Sequence, residues 1–205
     1  LDQVSDAILL NWHSGVECGN AICDILFNRV APSGRLPVTF PRATGQIPIY
    51  YNRRPKARNE GWFQGLYEDI TNDPMYPFGY GLSYTKFEYT DAKVLEKTDD
   101  NIKISVNVKN IGDRAGIEKT QIYAQYSDSR TYTPHFQLCG IKSTNLEAGE
   151  TVTVTIDIDT YWIKAVLEDG QRVTPDGKIT LYVGGHQPDK VSNELLGYEC
   201  ERIEL

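Results

Sequence analysis

At 205 residues the chain can hold one large core or two small ones, and its 40% hydrophobic content is adequate for packed interiors. Its formal net charge is −7 at pH 7, and an acidic chain without a basic face is a poor partner for nucleic acid. No apolar run reaches the roughly 18 residues that a membrane-spanning helix needs.

Taken in order, Ala7–Trp12 holds a short apolar run that predicts a strand buried on both faces, as in a parallel sheet. Gly15 and Gly19 bracket a turn. A helix is expected over Asn20–Asn28, with Ala21, Ile22, Ile25 and Leu26 on one face and Asn20 as its cap. Ala31-Pro32-Ser33-Gly34 breaks it, and Leu36–Phe40 reads as a second strand. Strand, turn, helix and strand make a βαβ unit. Two strands and a helix do not close a core, so this region reads as the end of a larger α/β domain whose earlier part is missing. Leu1 is not a start methionine, which fits that reading. No charged-then-apolar leader is present at the N-terminus, and cytoplasmic, periplasmic and secreted settings are all compatible.

Residues 53–75 read as irregular. They include the one basic cluster, Arg53, Arg54, Lys56 and Arg58, which is expected to be solvated loop. They also include the adjacent carboxylates Glu68 and Asp69, whose extended-chain spacing points them to opposite sides and makes a poor metal site. The aromatics Trp62, Phe63 and Tyr67 are expected to anchor this loop. Next comes Tyr76-Pro77-Phe78-Gly79-Tyr80-Gly81-Leu82-Ser83-Tyr84. Glycines at 79 and 81 among bulky rings predict positive φ or close approach to another segment, in a packed seam rather than a loose linker.

From Phe87 onward the pattern alternates with period 2. Ile102, Ile104, Val106 and Val108 form one stripe, Val152, Val154, Ile156 and Ile158 a second, and Ile179, Leu181 and Val183 a third. Further strands are expected near 119–126, 135–142, 161–167 and 195–204. Seven or so short strands with regular turns argue an antiparallel β-sandwich. The expected division is therefore 1–85 and 86–205. The four cysteines show no metal-type or scaffold spacing and are expected to be free thiols. Nothing in the sequence asks for a cofactor or a metal ion.

These blocks carry a resemblance. Pro77–Tyr89 is similar to the PFGYGLSYT-F-Y signature of glycoside hydrolase family three β-glycosidases. Trp12–Ile22 resembles the family's W-x-P-G-x-E-x-G-x-A-I block, with Ser14 where proline is usual. Ala31–Pro41 resembles N-P-S-G-[RK]-L-P-V-T-F-P, and Gly45–Asn52 resembles G-Q-I-P-x-Y-Y-N. Val108–Gly116, Leu138–Lys142, Leu146–Glu150 and Tyr182–Gly185 resemble blocks of its fibronectin type III-like domain, while Asp159–Val173 departs from the pattern. The resemblance implies the C-terminal end of an α/β-sandwich domain followed by a fibronectin type III-like antiparallel β-sandwich, α/β plus all-β in class. It implies the C-terminal portion of a retaining, exo-acting β-glucosidase or β-xylosidase. Such a parent acts on β-linked gluco- or xylo-oligosaccharides or aryl glycosides.

Retaining hydrolysis needs two facing carboxyl groups. In the family these lie on the TIM-barrel domain and earlier in the α/β-sandwich, portions that would precede Leu1, so no catalytic residue is transferred here. The Trp12–Gly19 loop would leave the C-terminal end of a parallel strand, where α/β sheets place ligands. This makes Trp12, His13 and Glu17 candidates for the substrate cleft. The alternative is that Trp12 is core, His13 is surface, and Glu17 bonds backbone in the turn. The thirteen tyrosines also allow a stand-alone carbohydrate-binding or structural β-sandwich module, and core packing accounts for most of them.

Overall fold

The computed structural model describes residues 4–53, 70–127 and 129–205. The basic cluster beyond Arg53, the Glu68–Asp69 pair and the rings of Trp62, Phe63 and Tyr67 lie outside the described residues.

The C-terminal part is a two-layer sandwich of antiparallel strands. One layer has the order β1–β2–β5, built from β1 (Phe87–Lys97), β2 (Asn101–Asn110) and β5 (Thr151–Asp159). The other has the order β4–β3–β8–β9, built from β3 (Gly116–Ser127), β4 (Gln137–Leu146), β8 (Lys178–Gly184) and β9 (Glu201–Glu204). A two-strand hairpin, β6 (Ala165–Val166) with β7 (Arg172–Val173), sits apart from both.

The alternation seen in the sequence sets the register. Ile102 faces Ile158, Ile104 faces Ile156, and Val106 faces Val154 across the β2–β5 pair. A one-residue slip would turn that whole stripe to solvent. From the other layer Ile122, Ala124, Leu181 and Val183 close the core. Burying each such side chain contributes roughly 1.5–3 kcal/mol. At Gly140, where the layers meet, a Cβ would lie 3.0 Å from an Ile122 methyl and 3.1 Å from an Ile156 methyl, so a larger residue would push on both side chains.

Two expectations for this part need correction. Around 161–167 the chain forms a short 3₁₀ turn, Thr160–Ile163, before the β6–β7 hairpin. The Asp159 carboxylate fixes the turn by accepting the Tyr161 amide at 2.8 Å. The span 195–204 is split between helix α2 (Lys190–Leu196) and β9. Asp189 caps α2 through the Ser192 amide, and Gly197 ends it in the left-handed region at φ 77°.

In the N-terminal part the expected helix is present as α1 (Cys18–Leu26), two residues earlier than predicted, with Glu17 rather than Asn20 at the N-cap position. Residues 7–12 form no strand, and Leu36–Phe40 is not a parallel one. A strand exists only by pairing, and among the described residues none offers an edge to 7–12. Leu36–Phe40 instead pairs with the seam. The Leu36 amide donates to Tyr80 O and the Phe40 amide to Tyr76 O, each at 2.8 Å, and the Gly79 amide returns a bond to Leu36 O at 2.8 Å. The helix buries none of its residues, and Ile8, Leu9, Leu10, Val16, Leu26 and Phe27 are exposed.

The four cysteines are free thiols. Cys139 lies in the sandwich core, and burial pushes its thiol up to about 12.

Candidate functional site

The three residues singled out in the sequence share one exposed loop ahead of α1. Trp12 takes φ 50°, unusual for a bulky residue, and its ring meets Phe40 with centroids 6.1 Å apart. More than half of Trp12 is exposed in this chain. His13 is exposed. Glu17 does not tie down backbone: its side chain makes no cap bond, and Oε2 instead accepts the Asn20 side-chain amide at 2.6 Å. The loop is closed by other groups. Ser14 Oγ donates to Asn11 O at 2.9 Å, and the Asn11 side-chain amide donates to Cys18 Sγ at 3.2 Å. The Glu17 carboxylate is thus held at the surface without being needed for the turn.

The seam is a second site, and it is built from both parts of the chain. Tyr51 stacks on Phe78 at 4.0 Å and meets Tyr123 edge-on at 6.4 Å. Gly79 has φ 79°, and a Cβ there would lie 2.5 Å from both Gln121 Oε1 and Tyr123 OH. At Gly81 a Cβ would strike the Gly34 carbonyl. Both glycines are therefore required, one by conformation and approach, the other by approach alone.

Beneath the rings lies a buried polar clamp. Arg35 Nη2 donates to Glu118 Oε2 at 2.7 Å, and their side chains are 10% and 1% exposed. Arg35 Nε also donates to Gly185 O at 3.2 Å. Tyr89 OH donates to Glu118 Oε1 at 2.6 Å. Burial and the adjacent carboxylate raise the Tyr89 hydroxyl well above its ordinary value, which keeps it a donor. Gln121 Nε2 bridges Gly79 O at 3.0 Å and Gly185 O at 2.7 Å, while Tyr123 OH donates to Gln121 Oε1 at 2.6 Å. Every charge in this cluster has a partner, as burial demands. The sequence marked Arg35 only as part of a block, and nothing paired it with Glu118, 83 residues away.

A cleft of about 230 Å³ opens where the seam meets the loop between β8 and α2. Tyr50, Tyr51, Asn72, Asp73, His135 and Gln187 are among the residues lining it. The His135 amide donates to Arg53 O at 2.7 Å. Burial, then the Arg53 charge, lowers the His135 pKa and favours the neutral imidazole. Gln187 and Asn72 carried no signal in the sequence, one following a Gly-Gly turn and the other lying in an irregular stretch.

The Cys200 thiol lies 3.9 Å from His186 Nδ1. Burial pushes that thiol up to about 12 and lowers the imidazole, so the two form no reactive thiolate–imidazolium pair.

Residues 1–84 match the glycosyl hydrolase family 3 C-terminal domain, and residues 118–187 match the fibronectin type III-like domain. A periplasmic β-glucosidase from Salmonella typhimurium is 39% identical over 193 residues, covering 89% of this chain and 25% of that protein. A putative β-xylosidase from Formosa agariphila is 33% identical over 192 residues, covering 92% of this chain and 25% of that protein. The crystal structure of a β-glucosidase from Listeria innocua in complex with glucose aligns with TM-score 0.85 at 31% identity. It covers all of this chain and 28% of its own. The chain thus spans about a quarter of the length of the curated relatives it matches.

Proposed function

The chain belongs to glycosyl hydrolase family 3, whose C-terminal and fibronectin type III-like domains it carries, and on that premise we propose that it serves as the C-terminal portion of a β-glucosidase- or β-xylosidase-type glycosidase. The observation that carries this reading is the bare apolar face of the N-terminal part. Val16 is fully exposed and Phe27 73% exposed, beside Leu26 at 64%. Large apolar side chains left this exposed around one helix fit a surface that packs against another part of a protein, and the body of a larger glycosidase would be that cover.

In this reading residues 1–85 continue an α/β-sandwich and residues 86–205 brace it. The brace acts through the Arg35–Glu118 ion pair and the Gln121 bridge. The parent enzyme acts at the non-reducing end of β-linked gluco- or xylo-oligosaccharides with retention at the anomeric carbon. Its two carboxylates come from elsewhere in the parent. Glu118, the only buried carboxylate among the described residues, is engaged by Arg35 and Tyr89 and is unavailable for acid–base work. Trp12, His13 and Glu17 border the sugar site of the parent, Trp12 with an apolar ring for a pyranose face and Glu17 with an acceptor for a hydroxyl.

The test is to express the whole open reading frame that encodes this chain and to assay hydrolysis of aryl β-glucosides and β-xylosides, following the released anomer by NMR. Turnover with the β-anomer appearing first is the expected result. A folded product that cleaves neither substrate would overturn the proposal.

A further inference from the structure

The cleft at the seam contains groups that the glycosidase reading leaves without a role. Its volume is about 230 Å³, room for several waters. That is below the roughly 300–1,000 Å³ of pockets for larger ligands, and it suits one small molecule. Gln187 lines it, is only 6% exposed, and its Oε1 accepts no hydrogen bond from the described residues. Asn72 Oδ1, also in the lining, is a second buried acceptor without a donor among the described residues. Buried polar atoms are nearly always paired in folded proteins, so two acceptors left bare by the described residues of one cleft ask for donors from a ligand.

The charges around the cleft select the class of donor. Arg53 and Lys190 are balanced by Asp73 and Asp189. Lys190 is further paired with Glu194 at 3.7 Å, and both Asp189 oxygens are engaged by Ser192. With burial and Arg53 favouring the neutral form of His135, the described lining carries no net charge to attract an anion or a cation. Tyr51 and Phe136 supply apolar wall. We propose that the seam cleft binds a neutral, hydroxyl-rich small molecule of monosaccharide or glycerol size, its hydroxyls donating to Gln187 Oε1 and Asn72 Oδ1. This site joins the sandwich to the segment before it.

The experiment titrates D-glucose, D-xylose and glycerol, each into the tens of millimolar, against the isotopically labelled full chain. Saturable shifts confined to the Gln187 and Asn72 side-chain amides and their neighbours are expected with at least one probe. Gln187→Leu removes one acceptor at similar volume and should weaken that binding about tenfold while the chain stays folded. Should that variant fail to fold, Asn72→Leu gives the same reading at the other acceptor. Non-saturating shifts with all three probes would overturn the proposal, as would unchanged affinity in the variant. So would tighter binding of glucose 6-phosphate than of glucose. The readout is binding, so the absence of glycosidase turnover in the whole protein would not affect it.

Discussion

Glu118 is the residue on which the contact between the two parts depends most. Removing the cation from a buried, hydrogen-bonded pair costs about 3–5 kcal/mol, because the remaining charge is stranded. Arg35→Ala should therefore lower Tm by roughly 6–20 °C at about 2–4 °C per kcal/mol for a chain of this size. Replacing Arg35 and Glu118 together by apolar residues should recover much of the loss. Calorimetry on the single and double variants checks this, and a double variant no more stable than Arg35→Ala would contradict the stranded-charge origin of the loss. Glu17→Gln should behave oppositely. Its carboxylate meets only the Asn20 side chain at an exposed site, so Tm should barely move. In the whole enzyme kcat/KM should fall about ten- to a hundredfold, the worth of one charge-assisted bond of roughly 1.5–3 kcal/mol. A Tm loss with unchanged kcat/KM would remove Glu17 from the sugar site.

His186 gives a pH dependence with a defined sign. It is fully buried, and desolvation lowers its pKa in the folded chain. The unfolded imidazole, near 6.5, then binds a proton that the folded one refuses. Its contribution to stability is complete above about pH 6.5 and is lost as pH falls from there through the folded pKa. Nitrogen-detected NMR should show His186 still neutral at a pH where a free imidazole is half protonated. A ring that titrates near 6.5 would contradict this.

At the scale of elements the seam motif is the sharpest case. Gly79→Ala forces a side chain into the left-handed region and into Gln121 and Tyr123, so the interface should open. Loss of the Tyr51–Tyr123 packing would appear in near-ultraviolet circular dichroism, and an unchanged spectrum and Tm would contradict the role given to Gly79. The need for those glycines was legible in the sequence, as were β2, β5 and β8, because period-2 stripes report a half-buried surface directly. The strand at 7–12 was misread because an apolar run does not reveal whether a partner edge exists. Helix α2 was missed because its signals, Asp189 as cap and Gly197 as stop, enclose only 7 residues. The clamp and the cleft were illegible for another reason. Arg35 and Glu118, or Asn72 and Gln187, become neighbours only after two sheets and a seam have folded, and no local pattern joins them.

For the molecule as a whole, the sandwich has a closed core in which both layers contribute, while the N-terminal part leaves its helix bare. Residues 86–205 should fold alone and give a well-dispersed amide spectrum, and residues 1–85 should not. A dispersed spectrum from 1–85 would mean that its apolar face needs no cover. The account as a whole turns on that face being an interface with the rest of a glycosidase. Hydrogen exchange over residues 7–30, compared between the 205-residue chain and the whole protein from its open reading frame, reads this directly. The amides of α1 should exchange rapidly in the isolated chain and at least a hundredfold more slowly in the whole protein, a difference of about 2.7 kcal/mol in local stability. Equal exchange in the two would contradict the account.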